Sequence, residues 1–282
     1  MYINICPNTI GITSSNFKDV VNLALKYGFE GVDFSPNYFS SVEEAKEAGE
    51  LLRSLKLNWG LFYMPCDFLL VNDEDYARGL EKLEQILPMV HAAGCKRTYN
   101  HIWPGNNSRK FDENYKWHVS RLKTLVNILA KYDVHMGIEF VGAKTLRDSF
   151  QYPFIYNLKQ AMELADKVSP DLGIILDCFH WYTSGGTLED IKSIGSGDRI
   201  VNVHANDAVL GRSREMQLDL EREMPMASGL VDVASILRTL KELKYEGPVI
   251  CEPFQPTLNR MKAMDDDSVA MEVSKCMKRL FE

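Results

Sequence analysis

Three carboxylates and one imidazole each close a short apolar run in the second half of this chain. Glu139 ends Gly137-Ile-Glu, Asp177 ends Ile175-Leu-Asp, His204 ends Asn202-Val-His and Glu252 ends Ile250-Cys-Glu. One acid in such a place is common and often just caps a helix or turn. Three gathered with a histidine are hard to explain as structure, because crowded carboxylates repel by roughly several kcal/mol unless a cation lies between them. A single divalent ion removes that cost. Mixed oxygen and imidazole ligands suit Mn, Mg, Co or Zn, and the residue types do not choose among the four.

A repeating unit must position these groups. Eight strand-like runs are Tyr2–Cys6, Gly31–Phe34, Leu57–Tyr63, Arg97–Asn100, Val134–Glu139, Leu172–Asp177, Ile200–His204 and Pro248–Glu252. Stretches with helical spacing separate them: Phe17–Tyr27, Val42–Leu55, Asp75–Ala93, Glu113–Lys131, Tyr156–Val168, Leu188–Ile194 and Val231–Leu243, with Asp267–Leu280 closing the chain. Strands alternating with helices of this length pair in parallel through right-handed crossovers. Gly28, Gly94 and Gly247 stand where left-handed helix caps favour glycine, and Ser15-Asn16 and Asp73 where N-caps belong. No Gly/Ser/Pro-rich linker divides the 282 residues, so the pattern predicts one domain over residues 1–282, a single (β/α)8 TIM barrel in the α/β class. A doubly wound open sheet would usually bring a glycine-rich phosphate turn after its first strand, and Pro7-Asn8-Thr9-Ile10-Gly11 is not one.

Barrel enzymes place their chemistry at the C-terminal ends of the strands. Glu139, Asp177, His204 and Glu252 end four neighbouring strands there. Period-two alternation puts them on a face with Gly137, Ile175, Asn202 and Ile250, and turns Ile138, Leu176, Val203 and Cys251 toward the helices. Cys178 and Cys251 flank the acids in sequence but read as packing. Strand position brings His101, Trp103, Lys144, Asn206 and Asp207 to the same mouth as candidate substrate contacts. Phe62, Tyr63, Trp181 and Phe254 are candidates for an apolar wall there, with core or loop packing weighing equally. His91 and His118 lie on helices and read as surface residues. His135 starts a strand at the bottom of the barrel and reads as structural.

Composition narrows the partners. Apolar residues make up 45% and charged residues 25%, ordinary for a globular chain. No apolar run is long enough for a membrane span, and the N-terminus reads as a first strand, with no signal peptide. A net charge of −7 is a poor match to nucleic acid, which calls for a basic footprint. Six scattered cysteines without a CxxC pair fit reduced thiols, hence a cytoplasmic protein. The expected partner is a small molecule.

The chain resembles the xylose-isomerase-like sugar phosphate isomerase/epimerase superfamily, which includes ketose 3-epimerases, inosose-processing enzymes, hydroxypyruvate isomerases and endonuclease IV. The resemblance runs through nearly the whole chain. It is carried by Gly137-Ile-Glu-Phe-Val-Gly142, Leu176-Asp-Cys-Phe-His-Trp181, Val203-His-Ala-Asn-Asp207 and Gly247-Pro-Val-Ile-Cys-Glu-Pro-Phe254. It implies that Glu139, Asp177, His204 and Glu252 are the shared metal ligands and that His180 contacts substrate. It gives the substrate-binding arginine as Arg222, with Arg212 and Arg214 as alternatives. Pro225-Met-Ala-Ser-Gly-Leu-Val-Asp232 resembles a loop that often reads Pro-Gly-x-Gly, with Met226 in place of a glycine. Self-association is common in the family and is left open here.

The implied chemistry is proton transfer at a carbon next to a carbonyl. The expectation is a divalent-metal-dependent sugar (or polyol-ketone) isomerase or epimerase of carbohydrate metabolism, acting through a metal-bound enediolate. Glu139 and Glu252, from the outer two of the four strands, would be the acid/base pair. A dehydratase of the inosose or dehydroshikimate type on the same site is the alternative. An endonuclease-IV-like DNA repair hydrolase fits less well: it needs three metals and further histidines, and the third strand ends Phe62-Tyr63-Met64. A sugar-binding barrel without activity conflicts with the intact ligand set.

Overall fold

Eight parallel strands curl around a common axis in the computed structural model, which describes residues 1–282. They are β1 (Tyr2–Ile5), β2 (Gly31–Phe34), β3 (Asn58–Phe62), β4 (Arg97–Ile102), β5 (His135–Phe140), β6 (Gly173–Asp177), β7 (Ile200–Ala205) and β8 (Pro248–Cys251). The outer layer is α1 (Phe17–Tyr27), α2 (Val42–Ser54), α3 (Asp73–Ala93), α4 (Phe111–Ala130), α5 (Leu158–Val168), α6 (Leu188–Lys192), α7 (Val233–Glu242) and α8 (Asp266–Phe281). The strand order is β3-β2-β1-β8-β7-β6-β5-β4. β3 and β4 meet at a seam without a backbone ladder, where the Thr98 hydroxyl donates to the Phe62 carbonyl at 2.8 Å. This is the (β/α)8 barrel that the alternating periods predict.

Local chemistry fixes the helices. Asn16 caps α1 by accepting from the Asp19 N–H at 2.9 Å, and Gly28 ends it in the left-handed region. The apolar spacing predicts a stripe of Val20, Val21, Leu23, Ala24 and Leu25; the buried face is Phe17, Val20, Val21, Leu23 and Ala24, and Leu25 is exposed. α3 is capped by Asn72, not Asp73: the Asn72 side chain accepts from the Asp75 N–H at 2.9 Å, and Asp73 instead pairs with Arg121. Gly247 is likewise not a helix cap. Lys244 takes the left-handed turn after α7, and glycine is needed at 247 because a Cβ there would lie 2.4 Å from the Tyr245 hydroxyl.

Two apolar layers result. The larger lies between strands and helices. A smaller one, Leu61, Tyr99, Ile175 and Val201, fills the barrel interior. Val201 joins it at the point where the β6–β7 ladder slips between Ile174↔Ile200 and Ile175↔Asn202. A register slip of one residue changes which side chains face inward. From Asn202 to His204 the ladder keeps the alternation, so Asn202 shares the face of Ile175 and His204 as expected. Phe62 packs in the outer layer and does not line the mouth. All six cysteines are free, and no helix is long and apolar enough to cross a membrane.

His118 corrects a second reading from sequence. It is buried on α4, against Phe154 with ring centroids 4.6 Å apart. Its Nδ1–H donates to the Asn114 carbonyl at 2.8 Å, and Nε2 has no partner. Burial pulls its pKa from 6.5 down to about 4. Above 6.5 the ring is neutral in both states and costs nothing. Below it the unfolded chain takes a proton that the native ring refuses, so stability falls with pH until about 4. Urea unfolding should show the wild type losing roughly 3 kcal/mol more than His118→Phe across that window. Parallel pH profiles for the two proteins would refute this.

Candidate active site

Parallel register brings the strand ends together. Asp177 pairs with His204 across β6–β7, Ile250 with His204 across β7–β8, and His101 with Glu139 across β4–β5. One ligand-capable atom from each of Glu139, Asp177, His204 and Glu252 lies within 4.8 Å of all the others, and all four residues are buried. His204 Nδ1 is 3.2 Å from Glu139 Oε1, 3.4 Å from Glu252 Oε2 and 3.7 Å from Asp177 Oδ2. Neither ring nitrogen of His204 has a hydrogen-bond partner of good geometry, nor does Glu139 Oε2. Buried polar atoms are normally satisfied. Unpartnered atoms on Glu139 and His204, gathered with the carboxylates of Asp177 and Glu252, therefore fit a divalent cation held by O, O, O and N.

The electrostatics point the same way. Burial opposes charge on His204, but Glu252 and Glu139 outweigh it and hold the imidazole protonated well above its ordinary range. Burial pushes the Glu139 carboxyl up, and His204 and His101 bring it below its usual value. Asp177 is held far below the carboxylate range, burial being overcome by Arg222, His180 and His204. A bound ion would take over this compensation, and His204 would give up its proton to become a ligand.

Arg222 is the arginine that reaches the cluster. Its Nη1 donates to Asp177 Oδ2 at 2.8 Å and to Glu252 Oε2 at 2.9 Å. Its Nε donates to the Asp219 carbonyl and its Nη2 to Asp219 Oδ1, while Phe179 and Phe254 flank the guanidinium. Arg212 pairs with Glu221 at 2.6 Å, and Arg214 lies over Tyr182. Asp177 also caps the short helix Cys178–Thr183, accepting from the His180 N–H at 2.7 Å, and accepts from Asn206 at 2.9 Å. His180 is buried, with the Gly142 N–H 3.2 Å from its Nδ1, and its Nε2 lies 3.0 Å from Arg222 Nη2 and 3.7 Å from Asp219. Burial and Arg222 together keep that ring neutral.

The loops after β3 and β4 complete the rim. His101 Nε2 lies 3.4 Å from Glu139 Oε2, and Trp103 donates its indole N–H to Asp67 at 2.8 Å. Asp67 accepts from Asn100 too, and Arg121 holds the following turn by donating to the Phe68 and Val71 carbonyls. An antiparallel pair, Gly105–Asn106 with Tyr152–Pro153, ties the β4 and β5 loops together.

Two candidates from strand position stand apart from this mouth chemistry. Lys144 is half exposed and paired with Asp148 one helical turn away. Asp207 is buried and spends both oxygens on the backbone N–H groups of Ala208, Ser228, Gly229 and Val231. It anchors the loop in which Met226 adopts φ of 66°, the left-handed geometry that glycine would take without strain. Trp181 is buried in the outer layer and donates to the Thr187 carbonyl. Sequence reasoning missed Asp67, Asp219 and Asp33. Their signals were an acid in the loop after the third strand, an acid one turn before Arg222, and an acid inside the apolar run Gly31-Val-Asp-Phe34.

The inosose isomerase of Bacillus velezensis is 23% identical over 281 residues, covering 94% of this chain and 93% of that protein. The 3-dehydroshikimate dehydratase of Bacillus anthracis is 20% identical, covering 87% of this chain and 89% of its own length. The solved structure of the IolI protein with a bound zinc atom superposes with a TM-score of 0.80 at 19% identity, over 99% of this chain and 98% of that one. Residues 21–280 match the family described as the xylose isomerase-like TIM barrel, and the chain belongs to that family.

Proposed function

We propose that the chain is a divalent-metal-dependent isomerase or epimerase of a polyol ketone or sugar, an inosose being the first substrate to try. The observation that carries this reading is the buried set Glu139, Asp177, His204 and Glu252, whose ligand-capable atoms lie within 4.8 Å of one another, with those of Glu139 and His204 unpartnered. The full-length similarity to an inosose isomerase supports the substrate class. An ion held by these four would polarise a carbonyl and its neighbouring hydroxyl, making the intervening C–H acidic enough for a carboxylate to attack. Glu252 follows β8, next to the His204 strand on one side, and Glu139 lies on β5, two strands away on the other side, so the two approach His204 from opposite directions. One removes the proton and the other returns it, to the opposite face for epimerisation or to the adjacent carbon for isomerisation. Arg222 and His180 hold substrate oxygens, and the Asp67-anchored Trp103 and His101 close the side toward β4.

Turnover of an inosose in deuterated water, with Mn, Mg, Co or Zn supplied in turn, should place deuterium at the carbon beside the carbonyl. Product without label refutes the proton-transfer reading. Loss of 18 Da would instead assign a dehydratase, the reading that the similarity to 3-dehydroshikimate dehydratase favours.

A further inference from the structure

The barrel closes without a backbone ladder between β3 and β4, so strand pairing does not fix the loops above that seam. Low on the seam, the Thr98 hydroxyl bridges to the Phe62 carbonyl. At the rim the bridging group is one carboxylate, Asp67, in the loop after β3. Its Oδ1 accepts from the Leu69 N–H at 3.2 Å and from the Asn100 side chain at 3.0 Å. Its Oδ2 accepts from the Trp103 indole N–H at 2.8 Å. One oxygen therefore folds its own turn and holds β4, and the other holds the residues just beyond β4. Behind the turn, the buried Arg121 donates to the Phe68 and Val71 carbonyls and supports the loop from its outer side.

The far end of this clasp reaches the acid–imidazole set. His101 stands in sequence between Asn100 and Trp103, the two residues fastened to Asp67. Its Nε2 lies 3.4 Å from Glu139 Oε2, and its side chain is 39% exposed. The ring thus touches a member of the cluster on one side and meets solvent on the other, so a molecule entering the mouth toward Glu139 passes it. His101 Nδ1 is 3.9 Å from Asp67 Oδ2, too far for a hydrogen bond. The ring is held by its neighbours instead, with centroids 5.3 Å from Tyr99 and 6.1 Å from Trp103.

We infer that Asp67 is a positioning residue. By tying the loop after β3 to β4 and to Trp103 across the open seam, it sets the faces that His101 and Trp103 present to a substrate beside Glu139. Both of its oxygens are spent on this task. The inference rests on the isomerase reading and deepens it by assigning what orients the β4 side of the site.

Asp67→Asn separates the role from folding. The amide keeps one acceptor for Leu69 and Asn100 and turns its NH2 toward the Trp103 N–H, donor against donor. The turn survives and the indole bond is lost. Acrylamide quenching of tryptophan fluorescence reads this with neither metal nor substrate. The Trp103 signal, taken as the difference from Trp103→Phe with and without the Asp67 substitution, should shift to longer wavelength and quench more readily in Asp67→Asn. In manganese-saturated turnover of an inosose, Asp67→Asn should raise KM about tenfold with kcat within about threefold of wild type. Trp103→Phe removes the same bond from the other side, so adding Asp67→Asn to it should raise KM by less than about twofold more. A purely structural role would lower the urea midpoint and leave the KM of the folded protein alone.

An unmoved Trp103 signal overturns the clasp. An unchanged KM in Asp67→Asn, or KM effects that multiply in the double variant, overturns the positioning role. Wild-type KM in Trp103→Phe overturns it as well, even if Asp67→Asn does not fold. The two readings fail separately. A wild type that turns over no inosose sinks the isomerase, and quenching then decides the clasp alone. Turnover at the wild-type KM in both variants sinks the positioning role alone.

Discussion

Glu252→Gln should lower kcat about 1,000-fold at saturating metal and substrate, and Glu139→Gln should do the same. Both carboxylates bracket His204 Nδ1, at 3.4 Å and 3.2 Å. In the proposed mechanism each carries a proton to or from the carbon beside the carbonyl, a role whose removal typically costs between about 100- and 10,000-fold. The amide keeps the size and one oxygen but cannot accept the proton. Each variant also loses a negative ligand, so the assay must titrate metal to a plateau before kcat is compared. A plateau within tenfold of wild type for either variant would remove that glutamate from the acid–base pair. A fall in KM-dependent rates with kcat unchanged would leave it a ligand only.

The second large effect is on folding. Arg222→Met should destabilise the metal-free protein by about 3 to 5 kcal/mol, the usual result of stripping one partner from a buried ion pair. The guanidinium donates to both Asp177 Oδ2 and Glu252 Oε2, and no other Lys or Arg pairs with either carboxylate. Without it, two buried carboxylates and Glu139 face one another with His204 as the remaining positive group. A divalent ion binds only the folded arrangement, so it should restore stability by about 2.7 kcal/mol at a hundredfold excess over its dissociation constant. Urea unfolding with chelator and with manganese measures both numbers. A variant that unfolds at the wild-type midpoint in chelator would show that the pair contributes nothing. A midpoint indifferent to manganese in both proteins would show that the acids hold no ion.

These two experiments probe a constellation that was readable before any coordinates. The four residues of the cluster each end an apolar run, and eight such runs separated by helical spacing leave few parallel topologies besides a closed barrel. Burial demands period two in the strands and an apolar stripe on the helices, so the strand and helix positions are written locally. The glycines at 28 and 94 and the cap at Asn16 follow from backbone geometry of single residues, which sequence also records.

Other assignments depended on neighbours far along the chain. Lys144 and Asp207 belong to the right loops, yet one finds a partner a turn away and the other a ring of backbone N–H groups. His118 looks like a surface histidine until Phe154 covers it. Asp67 gained its place from Trp103 and Asn100, and Asp33 from a glycine on the next strand.

The sequence by itself determined the architecture, the strand ends and the four residues that meet there, because periodicity and strand termini are local properties of the chain. Only the tertiary structure decided that Arg222 neutralises two of the acids, that Val201 joins the interior layer at the β6–β7 slip, and that Asp67 ties the loop after β3 to Asn100 and Trp103. The reason is physical. A charge or a hydrogen-bonding atom acquires its role from whatever lies within about 4 Å of it, and that is fixed by folding, not by proximity in sequence.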